Sequence, residues 1–115
     1  MGREDTRTPA EARRLAPLRA LADPTRLRLF LALRESERCV RDLVTTEGIT
    51  QPLVSHHLRV LTEAGLVQAR RAEGFTLYAV SPEGMAAALE IVSELLDPAG
   101  VGPRAMPGGN AACCK

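Results

Sequence analysis

ITQPLVSHHLRVLTEAGLV, residues Ile49–Val67, reads as one helix with both of its ends marked. Thr50 suits an N-cap, and Gln51 and Pro52 occupy the first turn, where a proline without an N–H leaves no intrahelical bond unmade. Gly65 closes the helix as a residue free to take the left-handed conformation. Wound at about 100° per residue, the segment gathers Val54, Leu58 and Leu61 on one face, with Leu53, His57, Val60 and Ala64 on its flank. Pro52, Ser55, His56, Arg59 and Glu63 fall opposite. That outer face is short-chained, hydrogen-bonding and partly basic, as a helix that reads base edges in a DNA major groove requires. An ordinary amphipathic surface helix has the same period, so the neighbouring segments decide between the two.

Upstream, Cys39–Glu47 reads as a short helix with Val40, Leu43 and Val44 on one face and Gly48 ending it. About three residues then separate it from the helix opening at Thr50, which makes the pair a helix-turn-helix. Downstream, Leu66–Ala72 and Phe75–Val80 flank Glu73-Gly74 and read as a β-hairpin. Arg70 and Arg71 lie just before its tip, where a β-ribbon can lean on the phosphate backbone, so the hairpin reads as a wing.

Further out, Thr8-Pro9 opens a first helix with Leu15, Leu18 and Leu21 on one face, and Pro17 within it predicts a kink or a break. Asp23-Pro24 opens a helix over Pro24–Arg34 that is apolar nearly all round, which predicts a central buried element. Ser81-Pro82-Glu83 starts a last helix reaching about Leu96. Its apolar stripe is too wide for one contact, so it is expected to pack on its own core and on a second subunit. The domain reading is a disordered N-terminus over 1–8, a winged helix-turn-helix DNA-binding and dimerisation domain over 9–96, and a flexible tail over 97–115. The fold class is mainly α with a small β-hairpin.

Composition narrows the partner. The 115 residues carry a net charge of only +1, yet the basic residues are fourteen arginines and one lysine, and arginine is the better bidentate partner for phosphate and guanine. Aromatic content is 3% with no tryptophan, which disfavours stacking platforms for single strands and favours duplex DNA. No run approaches the roughly 18 apolar residues of a membrane span, and the polar start lacks a signal-peptide apolar region, so a cytoplasmic location with no membrane partner is expected. Three cysteines, Cys39, Cys113 and Cys114, are an odd number for a disulfide framework and point instead to thiolate chemistry.

Taken together, ALADPTRLRLFLAL, CVRDL, the Ile49–Val67 helix and the R-x-x-G wing with Tyr78 resemble the ArsR family of bacterial metal-responsive repressors, over about residues 15–96. The resemblance implies a winged-helix homodimer, held through its first and last helices, that leaves a palindromic operator when a metal or metalloid binds. It implies operator contacts from Thr50, Gln51, Pro52, Ser55, His56 and Arg59, with Arg70 and Arg71 in the wing. Gln51 suits bidentate recognition of adenine, Arg59 a phosphate, and His57 on the apolar flank a packed structural role. Phe75 stands after the wing glycine, where many relatives have a basic residue.

The effector site departs from the family pattern. Arsenic-type members often carry C-V-C-D-L, and here the segment is Cys39-Val40-Arg41-Asp42-Leu43. Ser81–Leu96 contains no histidine or aspartate, so the zinc and nickel site of other members is absent. The remaining ligands are Cys39, Cys113 and Cys114, and three sulfurs without an imidazole favour As(III) or Sb(III), with Cd, Pb or Hg as alternatives. The seventeen residues from Leu96 to Cys113 reach roughly 55 Å when extended, which leaves open whether Cys39 comes from the same chain or, as scattered cysteines in relatives suggest, from the partner. Tying the tail to Cys39 is expected to shift the third helix and with it the recognition helix. Two other readings remain. A disulfide between Cys39 and a tail cysteine would make a redox switch. A small thiol enzyme would need a base beside its nucleophile, whereas both histidines lie in the recognition helix.

Overall fold

In the computed structural model, residues 8–103 are described; Cys113 and Cys114 lie outside them, as does most of the N-terminal segment. The element order is α1 (Pro9–Leu21), α2 (Pro24–Glu35), α3 (Val40–Glu47), α4 (Gln51–Glu63), β1 (Val67–Ala72), β2 (Phe75–Val80) and α5 (Pro82–Leu95). Local chemistry sets most of these boundaries. Thr8 Oγ1 accepts from the Glu11 N–H at 3.2 Å, Asp23 Oδ1 from the Arg26 N–H at 2.9 Å, and Ser81 Oγ from the Gly84 N–H at 3.1 Å, each satisfying a first-turn donor. Gly48 at φ 69° ends α3, and Gly65 at φ 83° turns the chain out of α4. Thr50 takes the N-cap position of α4 by backbone geometry alone, its hydroxyl making no cap bond.

The core lies where α2, α3 and α4 meet, built from Leu29, Leu33, Leu43, Val54, Leu58 and Leu61, with Leu66 and Val67 sealing it from the hairpin side. These side chains are essentially removed from water, the dominant favourable contribution to folding. The hairpin is antiparallel, pairing Val67 with Val80 and Ala72 with Phe75. Its two-residue turn places Glu73 at φ 51° and Gly74 at φ 91°, the positive-φ pair that matches the twist of the flanking strands.

Several expectations are corrected. α1 runs unbroken from Pro9 to Leu21 through Pro17, whose ring is buried, so packing of the ring accompanies the lost backbone bond. α2 is not buried all round: Leu29, Phe30, Ala32 and Leu33 face the core, whereas Leu27 and Leu31 are 39% and 50% exposed. Residue composition alone could not orient so uniformly apolar a helix; the tertiary partners do. Leu53 is exposed as well, not packed on the apolar flank. Thr8 caps α1 as the Thr8-Pro9 start predicts, whereas Cys39 is the N-cap of α3 and not its first turn. β1 starts at Val67 instead of Leu66 and α5 ends at Leu95. The chain after α5 first forms a one-turn 3-10 helix, Pro98–Gly100, capped by Asp97.

The wide apolar stripe of α5 is largely uncovered. Ala88 is buried, but Leu89, Leu95 and Leu96 are exposed, and Leu18, Leu21, Phe30, Met85 and Val92 line an apolar groove between α1, α2 and α5. Where α5 meets the end of α4, the fit is close: a Cβ added at Gly84 would lie 1.8 Å from the Gly65 carbonyl oxygen. Only glycine admits that approach, and the Ser81 N–H donates to the Leu66 carbonyl at 2.8 Å beside it. No helix among the described residues is long and apolar enough to cross a membrane.

Candidate nucleic-acid interface and effector pocket

α4 presents its polar face as its periodicity requires. Val54, Leu58 and Leu61 are buried, His57 is buried beside them, and Gln51, Pro52, Ser55, His56 and Arg59 are exposed. Only Gly48, Ile49 and Thr50 separate it from α3, and Ile49 is itself buried, so the two helices are held at a fixed angle.

The wing stands beside this face. Ser55, Arg59, Thr62 and Glu63 of α4 share a groove with Ala69 of β1 and Tyr78 of β2. Strand alternation then separates the two wing arginines. Arg71 lies on the Ala69–Tyr78 face and donates through Nη1 to the Thr76 hydroxyl at 3.2 Å. Arg70 points to the other face, where its Nε and Nη2 donate to the two Glu37 carboxylate oxygens at 2.6 and 2.8 Å. That pairing holds the Glu37 carboxyl below its ordinary range and raises the Arg70 guanidinium. The sequence treated the two arginines alike; Arg70 is tied to an acid 33 residues away, a contact no local pattern announces.

His57 occupies a structural position. Its Nδ1 lies 3.2 Å from Arg26 Nη1, and a guanidinium can only donate, so Nδ1 accepts and the ring proton sits on Nε2. Arg26 Nε also donates to the Ala20 carbonyl at 2.7 Å, so this one residue of α2 joins α1 to the recognition helix. Burial depresses the His57 pKa below its ordinary 6.5; the Asp23 charge opposes this, while Arg26 and His56 reinforce it. The unfolded chain therefore takes up the proton first on acidification. The stability tied to neutral His57 is complete above about pH 6.5 and is lost progressively below it. Thermal unfolding is expected to move to lower temperature between pH 7 and pH 5. His57→Asn, which keeps an acceptor for Arg26, should flatten that dependence; an unchanged slope in the variant would assign the pH effect elsewhere.

Cys39 is half-buried at the N-cap of α3, its thiol making no cap bond. It lines an open pocket with Val40, Arg41 and Asp42 on one side and Phe75, Thr76 and Tyr78 of the wing on the other. Among the described residues, no three histidine, cysteine or acidic side chains are placed together to hold a metal.

Residues 23–69, from the α2 cap to the middle of β1, match the family of bacterial regulatory proteins designated arsR. The fold agrees with a crystal structure of a possible transcriptional regulator for arsenical resistance, 37% identical, covering 70% of this chain and 84% of that one with a TM-score of 0.65. The chain belongs to the ArsR family. Its members matched here are transcriptional regulators and not enzymes. Among curated ArsR relatives, the repressor SmtB of Mycobacterium tuberculosis is 46% identical over 69 residues, 60% of this chain and 51% of that protein. The arsenical resistance operon repressor of Escherichia coli is 43% identical over 75 residues, 64% of each chain. The chain thus spans about half to two thirds of the length of these two relatives. A homodimeric winged helix-turn-helix DNA-binding domain of Mycobacterium bovis is 26% identical, covers 93% of this chain and all of that one, and superposes with a TM-score of 0.63.

Proposed function

We propose that this chain is a homodimeric, DNA-binding transcriptional repressor that releases its operator when arsenite or antimonite binds Cys39 together with Cys113 and Cys114. The operator surface consists of Thr50, Gln51, Pro52, Ser55, His56 and Arg59 on α4, with Arg71 on the adjoining wing face and Arg70 behind it. The uncovered apolar groove of α1, α2 and α5 is where the second subunit docks, which sets the two recognition helices about one DNA turn apart. Relatives named as an arsenical resistance repressor and as SmtB support an ion-responsive regulator.

The observation that carries the effector assignment is the position of Cys39. Its thiol is accessible, begins the helix that leads into the recognition helix, and opens on a pocket walled by the wing. Three thiolates give a pyramidal metalloid its full complement of soft ligands. The bound state must favour a geometry that does not fit the operator, or binding would release nothing.

Gel shift at increasing arsenite tests the assignment. The wild-type dimer is expected to leave the operator, whereas Cys39→Ser, and Cys113→Ser with Cys114→Ser, should remain bound at concentrations that release the wild type. Release by cadmium, lead or mercury but not by arsenite would reassign the ion, and undiminished release in the serine variants would remove the thiols from the site.

A further inference from the structure

The residues just ahead of α3 lie against the wing as a third, very short strand. Arg38 N–H donates to the Tyr78 carbonyl at 3.0 Å and Tyr78 N–H donates to the Arg38 carbonyl at 2.8 Å, an antiparallel bridge on the outer edge of β2. Side chains alternate about that bridge, so Glu37 emerges on the wing face that carries Arg70, away from the groove that Ala69 and Tyr78 share with Ser55 and Arg59. There both Glu37 carboxylate oxygens accept from Arg70, one from Nε at 2.6 Å and the other from Nη2 at 2.8 Å. A planar fork meeting a planar carboxylate fixes direction as well as distance. Two strands alone are marginally stable in water, so the hairpin takes its fixed attitude from this neighbour.

We infer that Glu37 is a positioning residue of the DNA interface: through its bidentate pair with Arg70 it holds the wing from behind, so that Arg71 on the opposite face stands ready for a phosphate beside the recognition helix. Arg70 then acts as a strut and not as a phosphate contact. The inference rests on the DNA-binding reading, which it deepens, and requires nothing of the effector. A guanidinium paired with a carboxylate brings no net charge to the DNA, and a phosphate approaching it meets the acid as well. Arg71 is differently placed, donating to the neutral Thr76 hydroxyl at 3.2 Å. Exposed ion pairs are weak when two long side chains must be ordered to form them. Here the Glu37 side chain is only 33% exposed, and the backbone bridge one residue away already holds its segment against the wing, so less freedom is lost.

The test uses the 115-residue protein and a labelled duplex that the wild type selects from random-sequence DNA, with affinity measured at several salt concentrations. Glu37→Ala and Arg70→Ala should each weaken binding about fivefold, and the double substitution no more than either alone. The loss in Glu37→Ala comes although a negative charge has been removed. Arg71→Ala should cost less in the Glu37→Ala background than in the wild type, because the wing contact is already impaired there. Glu37→Arg combined with Arg70→Glu should restore affinity to within about twofold of the wild type, a rescue that general damage to the fold would not allow. Tighter binding by Glu37→Ala with a steeper salt dependence would overturn the inference, since Arg70 would then be a phosphate contact that the acid masks. Wild-type affinity in Glu37→Ala, a full Arg71→Ala cost in its background, or a charge-swapped protein as weak as the single variants would also refute it. A wild-type protein that selects no sequence would remove the DNA-binding reading, and this inference with it.

Discussion

Leu58→Ala is expected to cost about 2–5 kcal/mol of folding stability, the range for truncating a buried leucine where the surroundings cannot collapse into the space. Leu58 is 1% exposed on the inner face of α4, in one cluster with Leu29, Leu33, Leu43 and Leu61. Its neighbours come from three helices, so no single side-chain adjustment refills the void. Against a total stability of about 5–15 kcal/mol for a domain of this kind, the loss threatens the fold itself. Chemical denaturation of the variant should show a lower midpoint with an unchanged slope. A loss below about 1 kcal/mol would mean that α4 is not seated as described. The same substitution at Leu53, exposed on the same helix, should leave stability nearly untouched.

Removing the recognition chemistry should be as decisive for DNA as removing Leu58 is for folding. Gln51→Ala is expected to cost about 1–3 kcal/mol per half-site, the worth of one bidentate base contact, and to relax sequence preference at a single base pair. Arg59→Ala should weaken binding to operator and non-operator duplexes alike, and lower the slope of log affinity against log salt by about 1 per half-site. The two substitutions lie on the same exposed face two turns apart, so both proteins should fold as the wild type does. Affinity measured on operator variants at several salt concentrations separates the two roles. An Arg59→Ala protein that loses preference at one base pair while keeping its salt slope would exchange the assignments.

What the sequence could disclose follows the range of the interaction involved. The proline starts of α2, α4 and α5, the Asp23 and Ser81 caps, the glycine ends of α3 and α4 and the Glu73-Gly74 turn are local devices, written within three or four residues. The inner face of α4 was legible because polar and apolar residues alternate with the helical period. α2 lacks that contrast, so the exposure of Leu27 and Leu31 had to come from the packed fold. The bridge of Arg38 to Tyr78 joins residues far apart in the chain and has no strand-like run to announce it. Likewise the Glu37–Arg70 pair, which distinguishes one wing arginine from the other, depends on a register across three chain segments. At the candidate site, the sequence supplied the thiol but not its setting. That Cys39 faces the wing is a consequence of where the α2–α3 connection lies against β2.

Under the proposed function, thiolate binding of a metalloid and operator release are one coupled event. A titration of the 115-residue protein on its operator with arsenite follows ultraviolet thiolate–arsenic absorption and DNA occupancy together, with cadmium and zinc in parallel. A three-sulfur arsenite band is expected to saturate as the operator is vacated. Saturation of the band with the operator still fully occupied, or release with no band at all, would contradict it.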